Sequence, residues 1–236
     1  MEHRVSLVGV FGGTFDPIHN GHVRPIREVQ KQAGLDPILF IPNADPPHRQ
    51  TPVANADHRL AMIKLALEGD PGLLVDDREL KRGGPSFMVD TLRSLQQDYA
   101  SSRLCLVLGW DAFASFDSWH QWQEILRIAH IVVMNRPGWL DHDLPRWCGD
   151  RIGAGLEDLI AESWGRVVLV TVTPCDVSST ALRQRMHQGL DVHAELAPAV
   201  WDYICVQGLY GVPQQREQAN LNIAATHSTT IGKRTV

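Results

Sequence analysis

The sequence predicts an α/β protein built on a doubly wound, mainly parallel sheet with helices on both faces. Three observations predict this fold: short apolar runs rich in β-branched residues, helical segments between the runs, and polar motifs placed just after three of them. Runs that are apolar throughout are typical of strands covered on both faces. Their alternation with helices favours a parallel sheet.

The predicted elements follow one another at short intervals. The strands are expected at Val5–Phe11, Ile38–Ile41, Leu104–Leu108, Ile131–Met134 and Val167–Val170. Residues with helical spacing occupy Arg24–Gln32, Arg59–Leu67 and Val89–Tyr99. A last helix is expected over Leu196–Val206, because Pro198 falls in its first turn and Gly208 can end it.

Composition and charge limit the class of protein. The chain has 236 residues, 44% of them hydrophobic, and one large domain is expected over 1–211. Residues 212–236 are rich in Gln, Asn, Thr and Ser, which predicts a flexible polar tail. The formal net charge of −5 disfavours nucleic acid or an anionic membrane as a partner.

Signals for export and for zinc binding are missing from the sequence. No stretch approaches transmembrane length, and the apolar run near the N-terminus is too short for the core of a signal peptide. Cys105, Cys148, Cys175 and Cys205 are scattered, with no Cys-x-x-Cys pair and no histidine at zinc-ligand spacing. We therefore expect reduced thiols and a cytoplasmic location.

A glycine-rich segment follows the first predicted strand. It extends from Gly12 to His22 with the sequence GGTFDPIHNGH, and a helix is expected to begin near His22 or Val23. Glycines let backbone N–H groups approach a phosphate, and a helix N-terminus adds partial positive charge. His19 and His22 could hold the oxygens of one phosphoryl group and donate hydrogen bonds as charge develops. The two glycines alone are equally typical of an ordinary strand-to-helix turn.

Two further polar motifs follow predicted strands. Val177–Arg183, with the sequence VSSTALR, places consecutive hydroxyls at a helix start and Arg183 one turn later, where they could bind phosphate. Alone, this motif is more typical of a serine-rich cap with a solvent-facing arginine. The third motif, Gly109-Trp110-Asp111, directly follows Leu108. Because carboxyl ends of parallel strands meet at one edge of a sheet, the three motifs are expected to form one site.

Together, the glycine-rich and serine-rich motifs resemble those of the nucleotidyltransferase superfamily with the His-x-Gly-His signature and a Rossmann-like sheet. The resemblance implies that His19 and His22 are catalytic and stabilise the α-phosphate of ATP. It also implies that the serine-rich motif grips the β- and γ-phosphates. The residues then expected to bind ATP are Gly12, Gly13, Thr14, Phe15, His48, Arg49, Gly109, Asp111, Ser178, Ser179, Thr180 and Arg183.

Other segments are similar to one family of that superfamily, the nicotinate mononucleotide adenylyltransferases. They are Pro46–Arg49, Ser86–Leu92, Leu108–Asp111, Trp119–Trp122, Asn135–Gly138 and Gly208–Tyr210. The resemblance covers Val8 to Tyr210 and implies a mononucleotide site that contains Ser86, Trp119 and Arg136. An aromatic face suits a flat pyridine ring, so Trp119 is expected to stack on it, whereas Trp122 is expected to pack in the core.

The sequence departs from the pattern of this family at one place. Where the family commonly has Ser-Tyr-Thr, this chain has Ser86-Phe87-Met88 and lacks a hydroxyl that could bind the pyridine substituent. Backbone N–H groups near Trp119 could still bind a carboxylate, which needs only donors.

The resemblance implies transfer of AMP from ATP to nicotinate mononucleotide, which gives deamido-NAD and pyrophosphate in NAD biosynthesis. The attacking phosphate is already an anion at neutral pH, so positioning and charge neutralisation suffice. Mg²⁺ is the expected cofactor, bound mainly through the ATP phosphates and without a protein metal ligand. Two alternatives stay open: another His-x-Gly-His enzyme such as phosphopantetheine adenylyltransferase, and a non-catalytic nucleotide-binding module. The sequence also leaves a homo-oligomer open.

Overall fold

The computed structural model describes residues 5–45, 51–135 and 144–214. Strands and helices alternate along most of this length. The strands are β1 (Ser6–Gly13), β2 (Ile38–Pro42), β3 (Leu73–Val75), β4 (Ser102–Gly109), β5 (Ala129–Asn135) and β6 (Val167–Thr171). The helices are α1 (Asn20–Ala33), α2 (Ala56–Ala66), α3 (Arg78–Arg82), α4 (Met88–Asp98), α5 (Trp110–Ala114), α6 (Trp122–Ile125), α7 (Asp158–Ala161), α8 (Ser179–His187) and α9 (Pro198–Gln207).

The strands of the described residues form one sheet in the order β3-β2-β1-β4-β5-β6, and every neighbouring pair is parallel. The chain winds outward from β1 to β3, returns to place β4 beside β1, and then winds outward in the other direction. This confirms the predicted doubly wound α/β fold. The winding reverses between β1 and β4, which is where ligands of such sheets bind, beyond the carboxyl ends of the strands.

Side chains that alternate along the strands divide the core between the two faces of the sheet. Phe11 of β1 and Val107 of β4 face a cluster completed by α1, α2, α8 and α9. Val10 and Leu106, one residue earlier in the same strands, face a second cluster completed by α4, α5 and α6. The central residues of β1, β4 and β5 are apolar because both faces of these strands are covered.

The main correction to the predicted elements concerns the start of α1. We expected this helix to begin near His22 or Val23, but it begins at Asn20, and His19 is its N-cap residue with an extended backbone. His22 therefore lies in the first turn of the helix. The sequence also did not predict β3, an edge strand of three residues whose Leu74 is exposed. The last helix, expected over Leu196–Val206, spans Pro198–Gln207, and Gly208, in the left-handed conformation, caps its end as expected.

Several smaller features bear on the remaining expectations. No helix among the described residues is long and apolar enough to cross a membrane. The four cysteines are free thiols, and Cys175 alone among them is not buried. Val212 packs against the core, so the first residue of the expected tail lies against the domain, whereas 215–236 lie outside the described residues. A single domain over 1–211 stays a prediction.

A buried histidine lies near the start of β5. His130 of β5 is fully buried, and its Nδ1 accepts a hydrogen bond of 3.2 Å from the backbone N–H of Arg166. Its Nε2 is buried without a hydrogen-bond partner among the described residues. Burial lowers the pKa of His130 to about 4, because the charged ring would lose its hydration.

We predict that His130→Asn reduces the loss of stability in acid. In the unfolded chain His130 binds a proton near pH 6.5, whereas in the folded protein it does so only near pH 4, so its effect opposes folding as the pH falls between these values. The wild-type protein should lose on the order of 1–2 kcal/mol more than the variant between pH 7 and pH 5. Asparagine keeps an acceptor for the Arg166 N–H but does not titrate. Urea unfolding at the two pH values measures the difference, and equal losses would contradict the prediction.

Candidate active site

Two adjoining cavities open at the carboxyl ends of the strands. The larger cavity has a volume of about 790 Å³ and lies between the ends of β1 and β4 and the start of α8. The smaller cavity, of about 350 Å³, lies between the end of β1, the start of α4 and the segment that follows α5. Residues that line both cavities are Gly12, Gly13, Thr14, Asp111, Ala112 and Trp119. Ligands in the two cavities would therefore meet at the glycine-rich turn.

A buried arginine supports this turn from below. Arg59 of α2 is 2% exposed, and its guanidinium donates hydrogen bonds of 2.8 Å to the carbonyl oxygens of Thr14 and Asn43. Asn43 in turn donates from its side chain to the hydroxyl of Thr14 and from its backbone to the carbonyl of Gly13. Burial lowers the pKa of Arg59, and the nearby charge of Asp16 opposes that shift. The ends of β1 and β2 are thus tied together under the cavities.

The space around the two glycines of the turn is narrow. A Cβ on Gly12 would lie 2.6 Å from the terminal methyl of Met88, and one on Gly13 would lie 2.8 Å from the ring of Phe15. Phe15 has a positive φ of 52° and packs on the rings of Phe11 and Phe40. Glycine is therefore favoured sterically at position 13, beside the packed ring of Phe15, whereas the methyl of Met88 ends a flexible side chain and could move away from a side chain at position 12.

The two histidines of the turn have different environments. Their rings stack with centroids 3.8 Å apart, but His22 lines the larger cavity, whereas His19 is 5% exposed and lies outside both cavities. Burial lowers the pKa of His19 to about 4, so this ring is neutral at physiological pH. The Nδ1 of His22 accepts the backbone N–H of His19 at 3.3 Å. In a neutral ring this contact leaves the proton on Nε2 of His22.

The serine-rich motif reaches the larger cavity from α8. Ser178 is the N-cap residue of this helix and does not line the cavity, whereas Ser179, Thr180 and Arg183 do. The hydroxyl of Ser179 donates to the carbonyl of Pro17 at 3.1 Å. The motif is therefore fastened to the segment that contains the two histidines.

The carboxylate of Asp16 joins this region of the structure. It is 3% exposed and accepts hydrogen bonds from the N–H groups of Val53 and Ala54 and, at 2.7 Å, from the hydroxyl of Tyr210. Arg183 donates to the carbonyl of Asp16 at 2.6 Å, and its guanidinium lies 3.8 Å from the carboxylate. Burial, the hydrogen bond and the charge of Asp16 raise the pKa of Tyr210 well above its ordinary value. The sequence analysis assigned no role to Asp16 or Tyr210.

The other predicted residues fall into three groups. Gly109 and Asp111, at the start of α5, line the larger cavity, as do Phe15 and Trp119. Ser86 lines the smaller cavity, where its hydroxyl accepts the backbone N–H of Ala44 at 2.9 Å. His48, Arg49 and Arg136 lie outside the described residues.

Aromatic and acidic side chains form the wall of the smaller cavity. Trp119, Phe87 and His120 line it together with Met88 and the buried Glu79, whose carboxylate accepts the hydroxyl of Thr91 at 2.5 Å. Trp122 instead packs on Phe116 and Trp147 against the core, as expected.

Sequence reasoning missed Asn43, Arg59, Glu79 and His120. Asn43 directly follows the strand-ending Pro42, so the rule that found the other motifs could have found it. Arg59 and Glu79 carry no local signal, because charged residues on helices are ordinarily at the surface. Among the described residues, no group of three or more histidine, cysteine or acidic side chains is placed to hold a metal ion.

Comparisons of sequence place the chain among known proteins. A family model described as "Cytidylyltransferase-like" matches residues 10–185. A relative from Pectobacterium atrosepticum, named "Probable nicotinate-nucleotide adenylyltransferase", is 41% identical over 210 residues, which cover 87% of this chain and 99% of the relative. A relative of the same name from Aeromonas hydrophila is 41% identical over 207 residues, which cover 86% of this chain and 96% of the relative.

Comparisons of structure agree on the fold. The nicotinic acid mononucleotide adenylyltransferase of Plasmodium falciparum, complexed with NaAD, superposes with a TM-score of 0.69 at 15% identity over 89% of this chain and 100% of that chain. The same protein complexed with APC superposes with a TM-score of 0.67 at 16% identity over the same shares of the two chains. The match to the family model and the identity to the two bacterial relatives show that the chain belongs to the cytidylyltransferase-like family, among the nicotinate-nucleotide adenylyltransferases.

Proposed function

We propose that this protein transfers AMP from ATP to nicotinate mononucleotide and releases pyrophosphate. One observation carries the proposal: a cavity with phosphate-binding groups and a cavity with an aromatic wall adjoin at the backbone of Gly12–Thr14. An AMP-transferring enzyme needs this arrangement, because its two substrates must meet at a phosphorus atom. The names of the bacterial relatives support the same reaction.

The larger cavity suits ATP. Thr180 and Arg183 offer a hydroxyl and a guanidinium near the start of α8, where the helix dipole also favours phosphate. Arg183 is the cation that the described lining offers to the β- and γ-phosphates. At the start of α5, the carboxylate of Asp111 can accept hydrogen bonds from ribose hydroxyls.

The reaction proceeds by in-line displacement. A phosphate oxygen of the mononucleotide attacks the α-phosphorus of ATP, a new P–O bond forms, and the bond to the departing pyrophosphate breaks. The attacking oxygen is already negatively charged, so no general base is needed. His22 donates its Nε2–H to a non-bridging oxygen of the α-phosphate, where negative charge grows in the transition state.

In this proposal Mg²⁺ would be bound by oxygens of the ATP phosphates and would neutralise part of their charge. The carboxylate of Asp16 is already engaged by two N–H groups, a hydroxyl and a guanidinium, so it does not offer a free pair of oxygens to a metal. Mg²⁺ keeps several waters and needs few protein ligands when phosphates bind it.

A cytoplasmic location and the absence of a nucleic-acid partner also belong to the proposal.

The acceptor separates this function from the alternatives. Trp119 and Phe87 give the smaller cavity flat apolar faces, which suit a pyridine ring. Phosphopantetheine has no aromatic ring that could stack on these faces. We predict turnover with ATP and nicotinate mononucleotide and none above background with phosphopantetheine. Pyrophosphate release with each acceptor measures this. Turnover with phosphopantetheine would favour that alternative, and no turnover with any acceptor would favour the non-catalytic binding module.

We predict that His22→Ala lowers kcat about 10²–10³-fold and leaves the affinity for ATP nearly unchanged, because its hydrogen bond strengthens mainly in the transition state. His19→Ala should act in the same direction. The double variant should lose less than the sum of the two effects, because the buried His19 acts through the ring of His22, on which it stacks. Single-turnover rates and ATP titrations measure the effects, with circular dichroism as the folding control. Near-normal turnover of a folded His22→Ala protein would remove the catalytic role.

We predict that Trp119→Ala raises KM for the mononucleotide about tenfold and KM for ATP far less, because the ring is a stacking face for one substrate and only borders the cavity of the other. Trp122→Ala is the matched control, since Trp122 packs on Phe116 and Trp147 outside the cavities. The control variant should lower Tm and leave both KM values nearly unchanged. If Trp119→Ala changes both KM values equally, the assignment of the smaller cavity to the mononucleotide is wrong.

A further inference from the structure

His120 lines the smaller cavity, and the proposed function leaves it without a role. Its ring lies against that of Phe87, with centroids 4.4 Å apart and an angle of 36° between the planes. It directly follows Trp119, the residue expected to stack on the pyridine ring. The donor capacity of His120 is therefore available at the cavity where this chain lacks a hydroxyl at Phe87-Met88.

A short chain of hydrogen bonds between exposed side chains favours one tautomer of the neutral His120 ring. Arg93 donates to Oε1 of Gln121 at 2.8 Å, so the amide of Gln121 has its oxygen toward Arg93 and its nitrogen toward His120. The two Nε2 atoms of Gln121 and His120 are 3.0 Å apart. An amide nitrogen only donates, so Nε2 of the neutral His120 ring must accept. The proton of the neutral ring then lies on Nδ1.

The backbone at Gln121 supports this arrangement. Gln121 has a positive φ of 51°, which is uncommon for a residue other than glycine. This conformation precedes α6 and accompanies the contact of its side chain with both His120 and Arg93. The guanidinium of Arg93, which is permanently charged, orients the side-chain amide of Gln121 through its hydrogen bond to Oε1.

We infer that His120 binds the carboxylate of nicotinate mononucleotide through Nδ1–H and so makes the enzyme prefer nicotinate mononucleotide to nicotinamide mononucleotide. The inference rests on the proposed function. The carboxylates of Glu79 and Asp111 line the same cavity and disfavour a third negative charge, so an acidic ligand needs a donor there. A hydrogen bond to a carboxylate is stronger than one to a neutral amide oxygen, and the difference gives selectivity.

Two substitutions separate hydrogen bonding from ring packing. His120→Phe keeps an aromatic ring against Phe87 but removes the donor, whereas His120→Asn removes the ring but can place an N–H two bonds from Cβ, as in Nδ1. The assay compares kcat/KM for nicotinate mononucleotide with kcat/KM for nicotinamide mononucleotide, with KM for ATP and Tm as controls.

His120→Phe should lower this selectivity ratio about tenfold, mainly through KM for nicotinate mononucleotide. His120→Asn should keep most of the ratio. An unchanged ratio in His120→Phe, or an equal fall in both variants, would overturn the inference. If the wild-type protein turns over neither pyridine mononucleotide, the proposed function fails and the inference fails with it. Normal wild-type turnover with unaltered selectivity in the variants overturns the inference alone.

The tautomer can be observed directly. In ¹⁵N-histidine-labelled protein at pH 8.5, the signals of His120, assigned by their loss in His120→Phe, should show the proton on Nδ1. Gln121→Leu should shift the population toward Nε2–H. A proton on Nε2 in the wild-type protein would overturn the inference.

Discussion

The buried carboxylate of Asp16 is the interaction on which the rest of the site depends. It connects the glycine-rich turn to the segment before α2, to α8 and to the end of the described chain, because its partners are Val53, Ala54, Arg183 and Tyr210. Burying a charge is costly unless donors replace the lost water, and here three hydrogen-bond donors and the nearby guanidinium of Arg183 do so. The same carboxylate also balances the buried charge of Arg59.

The start of α1 explains how two similar imidazoles can have different environments three residues apart. Because the helix begins at Asn20, His19 is the cap residue and turns inward, whereas His22 in the first turn lines the larger cavity. The hydrogen bond from the backbone of His19 then directs the proton of His22 to Nε2. Local helix geometry thus sets both the depth of each ring and the nitrogen from which it can donate.

The order of strands and helices could be predicted because short apolar runs that alternate with helical segments are typical of a covered parallel sheet. The β3 strand was not predicted because it has only three residues and one of them, Leu74, is exposed. The start of α1 was misplaced because histidine is not among the usual N-cap residues. The glycine-rich turn and the serine-rich motif could be placed because they follow strands, but contacts made by Arg59 and Tyr210 depend on residues far away in sequence. Such contacts leave no periodic or local pattern.

The bond between Tyr210 and Asp16 spans 194 residues and bears on the order in which the protein is made. A chain synthesised from its N-terminus exposes the glycine-rich turn early, yet the partners of Asp16 are complete only after the turn that follows α9 has emerged. Contacts of such large sequence separation form late, because the intervening chain must first be ordered. A nascent chain that has not yet reached Tyr210 therefore has an incompletely satisfied carboxylate beside its phosphate-binding turn, so the site is completed only after α9 and the turn that follows it have been made.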